Sequence, residues 1–293
     1  MTLVSRGYSD DHDHLRVMEF LRETFADTGS LENWLPPRFE NNSRDMDQGI
    51  RMWEFDDKII GLAVPEKSYV YFIQLHPDHN ALYGEIVEWI EVYCKSNKGE
   101  KKEVKLSIIE LDRSQDREQA LLAHSFTKDR TYGIFRLRDV EAPISAYELP
   151  EGFSVRSATP EDFDEIAVCI RQVFGHGEWF TEEILEETAR ASFYHQDLDL
   201  VVVDEGGKIV SFCTFRFDPP SGITELEPMG TIEEYRCRGI GRALLCEGFR
   251  RLRSYNPSLL YIGGAADTPA ANRLYYVTGF TEKIDLYRWE KLI

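Results

Sequence analysis

A short segment in the second half of the chain, Arg-Cys-Arg-Gly-Ile-Gly at 236–241, places two glycines between a strand and a helix. Thr224–Thr231 reads as the strand, and apolar residues at helical spacing run from about Gly239 to Tyr255. Without Cβ atoms, Gly239 and Gly241 allow unusual dihedral angles and the close approach of a ligand. The unpaired N–H groups of a first helical turn favour an anion. The segment therefore predicts an α/β fold with a phosphate site at this helix start.

The charge around this segment is opposite in sign to that of the whole chain. The chain has a formal net charge of -18, whereas six arginines and a single acid, Glu247, between 235 and 253 give a local charge of +5. The planar guanidinium fits phosphate oxygens. Arginines alone would equally suit a solvated helix face, and glycines alone would suit a turn. Their combination favours a pyrophosphate, although no GxxxxGK[ST] motif is present and Leu244 replaces the third glycine of the dinucleotide fingerprint.

The chain divides near its middle into two halves with the same order of elements. Its 293 residues exceed the usual size of one domain, and the segment 142–152 contains two prolines and a glycine without regular periodicity. We expect a first domain at 1–141, a linker at 142–152 and a second domain at 153–293. The expected second-half strands lie at 153–157, 198–204, 208–216, 224–231 and 261–265, with a strand pair within 283–292, and the helices at 160–174, 181–192, 239–255 and 269–278.

The first half repeats this order more weakly, with predicted helices at 14–25, 81–95 and 116–124 and predicted strands at 49–54, 58–64, 69–76, 104–109 and 132–138.

The pattern Arg-x-x-Gly-x-Gly after a strand resembles the acyl-CoA loop of the GNAT superfamily of N-acyltransferases. Ala270–Phe280 resembles the later family segment in which an asparagine precedes Leu-Tyr and Gly-Phe. The resemblance covers the second half, and the repeat resembles that of two-domain members. It implies an α/β (α+β) fold of two GNAT-like domains, each with a mixed, mostly antiparallel central sheet flanked by helices. It also implies acetyl-CoA as acyl donor, bound by Met229, Gly230, Thr231, Arg236, Cys237, Arg238, Gly239, Ile240, Gly241, Arg242 and Asn272.

The resemblance implies an N-acetyltransferase that acts by direct attack of a primary amine on the thioester. Tyr275 lies four residues before Gly279, as the family's acid tyrosine does; a core aromatic is the alternative. Glu225 and Glu227 share a strand face unless a bulge separates them, and either could serve as the base or be an exposed carboxylate. Glu225 lies eleven residues before Arg236, a spacing similar to that of members with a strand glutamate. A non-catalytic acyl-CoA sensor is the alternative function.

The first half departs from the family pattern at the equivalent junction, 76–85. Asn80 stands in the arginine position, and Tyr83 and Glu85 replace the two glycines. Side chains and a carboxylate would occupy the pyrophosphate space, and Leu121 stands where the second half has Tyr275. We therefore expect the first half to be a degenerate copy that does not bind coenzyme A productively.

Composition sets the remaining expectations. The acidic net charge argues against nucleic-acid binding, and five cysteines without a CxxC pair suit a reducing compartment. No signal segment or apolar run indicates a membrane, so we expect a cytoplasmic monomer or homodimer that acts on a small-molecule or peptide amine. The acidic and histidine residues at 10–14, and His76 with His79, are typical of solvated surface more often than of metal sites, so no metal is expected.

Overall fold

The computed structural model describes residues 3–9, 11–28, 34–43, 49–112, 114–264 and 268–293. The chain forms two compact units. The first consists of 1–134 together with 284–293, and the second of 135–283. The last ten residues thus lie in the first unit and 135–141 in the second, whereas the sequence division assigns each of these segments to the other half. None of the described helices is long and apolar enough to cross a membrane.

The helices and strands up to residue 138 follow the predicted order with two additions. They are β1 (Leu3–Gly7), α1 (Asp11–Thr28), α2 (Pro36–Ser43), β2 (Arg51–Phe55), β3 (Lys58–Lys67), β4 (Val70–Leu75), α3 (Tyr83–Ser96), β5 (Lys105–Leu111), α4 (Gln115–Ala123) and β6 (Thr127–Arg138). The sequence did not predict β1 or α2. The first is a short strand whose partner is β2, and the second starts at two prolines in a polar segment without clear periodicity.

The elements after the seam are β7 (Phe153–Ser157), α5 (Phe163–Phe174), α6 (Glu182–Thr188), β8 (Asp199–Asp204), β9 (Ile209–Asp218), β10 (Ile223–Thr231), α7 (Ile240–Leu252), β11 (Leu259–Ile262), α8 (Pro269–Val277) and β12 (Glu282–Leu292). The strand pair expected within 283–292 is wrong, because β12 is one strand that pairs with β5 from Leu286 to Leu292. The strand expected at 261–265 ends at Ile262, and Ala265 lies outside the described residues.

Each unit contains a mixed sheet. The order is β1-β2-β3-β4-β5-β12 in the first unit and β6-β11-β10-β9-β8-β7 in the second. Within these orders the pairs are antiparallel except β4 with β5 and β10 with β11, which are parallel. In the second unit one face of the sheet packs against α5 and the other against α7. The predicted fold class, mixed and mostly antiparallel with flanking helices, is confirmed.

The parallel pair in the second unit separates after a short contact. Ile223, Thr224 and Glu225 pair with 259–261 of β11, but β10 then continues to Thr231 without a partner in β11. Its pairing with β9 also shifts between Leu226 and Met229, which is a β-bulge. The outer half of β10 therefore has one open edge and an interrupted ladder on the other.

The segment expected as a linker is attached to the second unit. Ile144 and Leu149 pack against the core between the sheet and α7. The Tyr147 hydroxyl donates to Glu247 on α7 at 2.5 Å, and the Arg138 guanidinium donates to the Ala142 carbonyl at 3.0 Å. These contacts fix 142–149 to the surface of this unit.

Close packing of α7 on the sheet predicts that Gly248→Ala destabilises the protein. A Cβ at Gly248 would lie 2.1 Å from Cε2 of Phe215, a buried ring. Overpacking of this kind costs about 1–3 kcal/mol. Gly84→Ala is the matched control, since this glycine of α3 has only His124 Nε2 nearby, at 3.7 Å, and alanine favours a helix. Urea unfolding followed by circular dichroism measures both, and equal midpoints for the two variants would contradict the packing.

Candidate active site

Two glycines at the start of α7 have different structural roles. Gly239 is the N-cap residue at φ +85°, a conformation that L side chains rarely adopt, and nothing lies near a Cβ placed there. Gly241 is helical, and its Cβ would lie 3.1 Å from Met229 Cε and 3.3 Å from Thr231 Oγ1. Gly239 therefore turns the chain, whereas Gly241 lets α7 approach β10. Since the N-cap residue has no side chain, it leaves the first-turn N–H groups available to an anion.

The residues between the two glycines and just before them contribute in different ways. Ile240 is buried in the core, so only its backbone can face a ligand. Cys237 is exposed and has φ +61°. The Arg236 Nε atom donates to the Thr231 carbonyl at 2.9 Å, which ties this exposed arginine to the end of β10. The loop is thus held against the strand that precedes it.

Arg238 and Arg242 complete the positive charge near the helix start. Both are exposed, and the Arg238 guanidinium lies 5.4 Å from the centre of the Tyr235 ring. The Tyr235 hydroxyl donates to Asp204 at 3.2 Å, which holds this ring in place. Together with Arg236, these side chains place three cations around the N-terminus of α7.

The other three arginines counted in the sequence lie at the opposite end of α7. Arg250 and Arg251 each donate to Glu247 at 2.8 Å, and these hydrogen bonds, that of Arg250 above all, lower the pKa of Glu247 to about 2. Arg253 donates to the Ala142 carbonyl at 3.0 Å. Since α7 has 13 residues, its ends are about 20 Å apart. The local charge of +5 counted in the sequence therefore overstates what a ligand at the helix start would meet.

The end of β10 is shaped by contacts that exclude a side chain at Gly230. A Cβ there would lie 2.6 Å from Phe212 Cζ and 2.8 Å from Val173 Cγ1. The Ser211 hydroxyl donates to the Gly230 carbonyl at 2.7 Å and also lies 2.8 Å from Thr231 Oγ1. Gly230 itself pairs in register with β9, so the bulge of β10 lies before it, at 227–228.

The two candidate glutamates have different surroundings. Glu225 is fully buried opposite Arg216 of β9, and Arg216 Nη1 lies 3.4 Å from its carboxylate. Glu227 follows the start of the bulge, is half-buried, and is close enough to Tyr275 for its charge to raise the pKa of that hydroxyl. The bulge interrupts the simple alternation, so the strand presents the two carboxylates in unlike environments.

Tyr275 is a buried residue of α8, and its neighbour Tyr276 is exposed. Its ring lies edge-on to Phe280 at 5.8 Å between centroids. Burial raises the pKa of Tyr275 well above its usual value, the charges of Glu227 and Cys213 add to this, and Arg136 opposes it. The phenol therefore stays protonated near neutral pH, and it can act as a proton donor.

Two further residues belong to this region although the sequence reasoning did not find them. Arg136 of β6 donates from Nη2 to the Asn272 side chain, and Asn272 precedes Tyr275 by one helical turn. Arg216 pairs with Glu225. Neither arginine lies in a motif, and Arg136 falls before the seam, so only the strand pairing of β6 with β11 brings it to α8.

The equivalent junction of the first unit is filled by its own side chains. The Tyr83 hydroxyl donates to Glu110 at 2.8 Å, and Arg117 donates to Glu110 at 3.2 Å and to Asn80 at 3.4 Å. Tyr83, Glu110 and Arg117 are buried. Glu85 accepts from the indole N–H of a buried tryptophan on β2 at 3.1 Å. A tyrosine, a carboxylate and an ion pair thus stand at this strand–helix junction.

Metal ligands are not grouped in the part of the chain that the structure describes, where no three His, Cys, Asp or Glu side chains come together. Of the acidic segment at 10–14, Asp10 lies outside the described residues, and Asp13 accepts hydrogen bonds from Arg6 and Ser9. His76 lies 3.5 Å from Asp27, and its Nδ1 atom accepts from the Asp78 N–H.

The site therefore combines an anion-binding helix start, an open strand edge, a half-buried carboxylate and a buried phenol. Residues 163–280, which contain all of these, match the acetyltransferase (GNAT) family. The members of this family are acyltransferases, and the matched segment includes every residue that the sequence proposed for the site.

Known proteins similar to this chain agree with the family. A mycothiol acetyltransferase of Thermobispora bispora is 30% identical over 177 residues, which cover 55% of this chain and 58% of that protein. The chain spans about half the length of the curated relatives it matches.

Solved structures share the fold over nearly the whole chain. A GCN5-related N-acetyltransferase from Sphaerobacter thermophilus has a TM-score of 0.67 at 19% identity, covering 98% of this chain and 95% of its own. A tandem GNAT protein from the clavulanic acid biosynthesis pathway has a TM-score of 0.65 at 14% identity, covering 99% and 98%. At these identities the likeness shows the fold, and the fold is that of a tandem GNAT protein.

The buried pair in this site predicts a large effect of Arg216→Leu on stability. The substitution leaves a fully buried carboxylate at Glu225 beside an apolar side chain, which costs about 3–5 kcal/mol. Arg216→Leu combined with Glu225→Leu should recover much of the loss. Arg250→Leu is the control, since Arg250 is exposed and Glu247 keeps its hydrogen bonds from Arg251 and Tyr147, so this change should alter stability far less. Urea unfolding measures all three, and an Arg216→Leu protein as stable as the control would contradict the pairing.

Proposed function

We propose that the chain is an N-acetyltransferase that moves an acetyl group from acetyl-CoA to a primary amine of a small molecule or peptide. The observation that carries the proposal is the bulge in β10, which brings Glu227 within electrostatic range of the protonated Tyr275. A carboxylate and a phenol so placed supply the base and the acid that aminolysis of a thioester requires. Family membership of 163–280 supports the same reaction class.

Acetyl-CoA binds, in this proposal, with its pyrophosphate at the start of α7. The N–H groups of 240–242 and the guanidinium groups of Arg238 and Arg242 face the phosphates, and the open edge of β10 at 229–231 receives the thioester arm. Gly239 turns the chain into α7, and Gly241 lets α7 lie close to β10. Asn272 lies on the neighbouring helix α8, where it holds Arg136.

Glu227 is the better candidate for the base. It is half-buried, and its charge raises the pKa of Tyr275, whereas Glu225 is fully buried and paired with Arg216. A carboxylate that takes a proton from an incoming amine must be reached by that amine or by a connecting water. We assign this step to Glu227 and a positioning role in the strand to Glu225.

Tyr275 is the proposed acid. The amine attacks the thioester carbonyl, a C–N bond forms, and the C–S bond breaks as Tyr275 donates its proton to the departing thiolate. Backbone N–H groups on the open edge of β10 stabilise the charge that develops on the carbonyl oxygen. Burial keeps Tyr275 protonated before this step, because it raises the pKa of the hydroxyl.

The acceptor is proposed as a cationic small molecule or peptide amine. The relative in Thermobispora bispora is named for acetylation of a small molecule, mycothiol, which supports a small acceptor. A chain of net charge -18 attracts protonated amines. The first unit is proposed not to bind acetyl-CoA, because Arg117, Glu110 and Tyr83 already pair with one another at its junction and Leu121 is buried in its core.

Replacement of the proposed base and acid should slow turnover and spare binding. Glu227→Gln and Tyr275→Phe should each lower kcat about 100-fold, because each removes one proton transfer. Tyr276→Phe is the matched control for Tyr275→Phe, since it removes a hydroxyl from the exposed neighbour and should leave kcat unchanged. Release of free coenzyme A, measured across small amines, aminoglycosides, amino acids and peptides with acetyl-CoA as donor, first identifies an acceptor and then gives kcat.

Calorimetry with acetyl-CoA separates an enzyme from an acyl-CoA sensor. Normal affinity with slow turnover in Glu227→Gln and Tyr275→Phe supports the assigned roles. Unchanged turnover in both variants would remove them, and tight acetyl-CoA binding without turnover on any acceptor would favour the sensor.

Removal of charge at the helix start should weaken acetyl-CoA binding. Arg238→Gln should raise Kd roughly tenfold, because one charge-assisted contact with a phosphate is lost. Arg250→Gln removes the same charge from the far end of α7 and should leave Kd unchanged. Titration calorimetry at two salt concentrations measures both, and equal Kd values for the two variants would place the phosphates elsewhere.

A further inference from the structure

Arg136 reaches the region of Tyr275 from outside the residues that match the family. It lies on β6, which pairs antiparallel with β11, and it stands opposite Ile262. The last pair between β10 and β11 is Glu225 with Tyr261, one position earlier along β11. Arg136 therefore stands beside β11 at the level where β10 leaves it.

The contacts of Arg136 fix its guanidinium on the face of α8 that bears the phenol. Its Nη2 atom donates to Asn272 Oδ1. Asn272 and Tyr275 are three positions apart in α8, so they lie on the same face about one turn apart. The Nε atom of Arg136 is buried and has no hydrogen-bond partner among the described residues. One side of the guanidinium is thus anchored and another is left unsatisfied.

Arg138, a second arginine on β6, has a structural role. Arg138 donates to the Thr278, Asp139 and Ala142 carbonyls, and its guanidinium lies 4.4 Å from the centre of the Phe249 ring. These hydrogen bonds link β6 to the end of α8 and to residues 139–142. Among the described residues Arg136 makes one side-chain hydrogen bond, and it keeps a buried donor near a titratable group, which is costly unless a charge forms there.

The charge that forms in the proposed reaction is the phenolate of Tyr275. The tyrosine is buried. The charge of Glu227 raises the pKa of its hydroxyl, and the charge of Arg136 lowers it. When the proton leaves, Glu227 has been neutralised by the proton of the amine, and Arg136 attracts the new negative charge on the phenolate. Such interactions are stronger in a buried site than in water.

We propose that Arg136 is a positioning residue for acyl transfer, whose guanidinium stabilises the Tyr275 phenolate formed when the tyrosine protonates the leaving thiolate of coenzyme A. This inference rests on the proposed function.

The protons balance within the site. The amine first loses one proton to solvent; its nitrogen then forms the bond to the acetyl carbon and gives a second proton to Glu227, while the C–S bond breaks and the sulfur takes the proton of Tyr275. The phenolate, held by Arg136, then regains a proton from Glu227. The site returns to its starting state, and free coenzyme A and the acetylated amine are released.

A double-mutant cycle in the full-length protein tests the inference. Arg136→Gln should lower kcat about tenfold with unchanged affinity for acetyl-CoA, and Arg136→Lys, which keeps the charge, should stay within about threefold of the unmodified protein. In a Tyr275→Phe background Arg136→Gln should change kcat less than about twofold, since no phenolate forms. Arg273→Gln is the control, because it removes an exposed cation from the same helix beside Asn272.

Replacement of Tyr275 by 3,5-difluorotyrosine gives a second readout. The fluorinated phenol ionises more readily, so the loss caused by Arg136→Gln should shrink. Loss of kcat in Arg136→Gln that is as large with phenylalanine at 275 as with tyrosine, or an equal loss in Arg273→Gln, would overturn the inference and leave the proposed function standing. Full activity of Tyr275→Phe would overturn the proposed function itself.

Discussion

The separation of β10 from β11 is the constraint on which the site depends. After three parallel pairs the two strands part, and the bulge at 227–228 turns the free half of β10 away from the regular ladder. Both faces of β10 are closely packed here: Phe212 and Val173 exclude a side chain at Gly230, and Gly241 lets α7 lie against the same strand. An open strand edge of this kind is costly to a soluble protein unless a ligand or cover uses it.

The arginines of α7 and of the loop before it are divided between the two ends of the helix. Arg250, Arg251 and Arg253 lie at the C-terminal end of the helix, where the helix dipole favours cations and where Glu247 and a carbonyl accept their hydrogen bonds. Arg236, Arg238 and Arg242 surround the N-terminal end, where the dipole disfavours them. An anion between these cations stabilises them beyond the contacts of Arg236 with the Thr231 carbonyl and of Arg238 with the Tyr235 ring, so their position points to a phosphate more strongly than their number does.

Local signals in the sequence explain which parts of this could be predicted. Periodicity gave most helices and strands, and the loop at 236–241 with the Tyr275 segment gave the family, because each depends on neighbouring residues. The single strand β12, the pairing of Arg216 with Glu225 and the approach of Arg136 to Asn272 depend on residues distant in the chain, and no local pattern encodes them. Whether Glu225 and Glu227 share a strand face could not be decided from the sequence, because a bulge cannot be read from alternation alone.

The equivalent strand–helix junctions of the two units differ in their charged residues. In the first, β4 and β5 also pair over only three residues, but Arg117, Glu110 and Tyr83 satisfy one another in the buried space beyond. In the second, the helix start has two glycines and three exposed arginines, and the Arg238 guanidinium lies over the Tyr235 ring. An internal ion pair makes the first unit complete without a ligand. In the proposed function the pyrophosphate of acetyl-CoA supplies negative charge at this helix start, so its binding also stabilises the second unit.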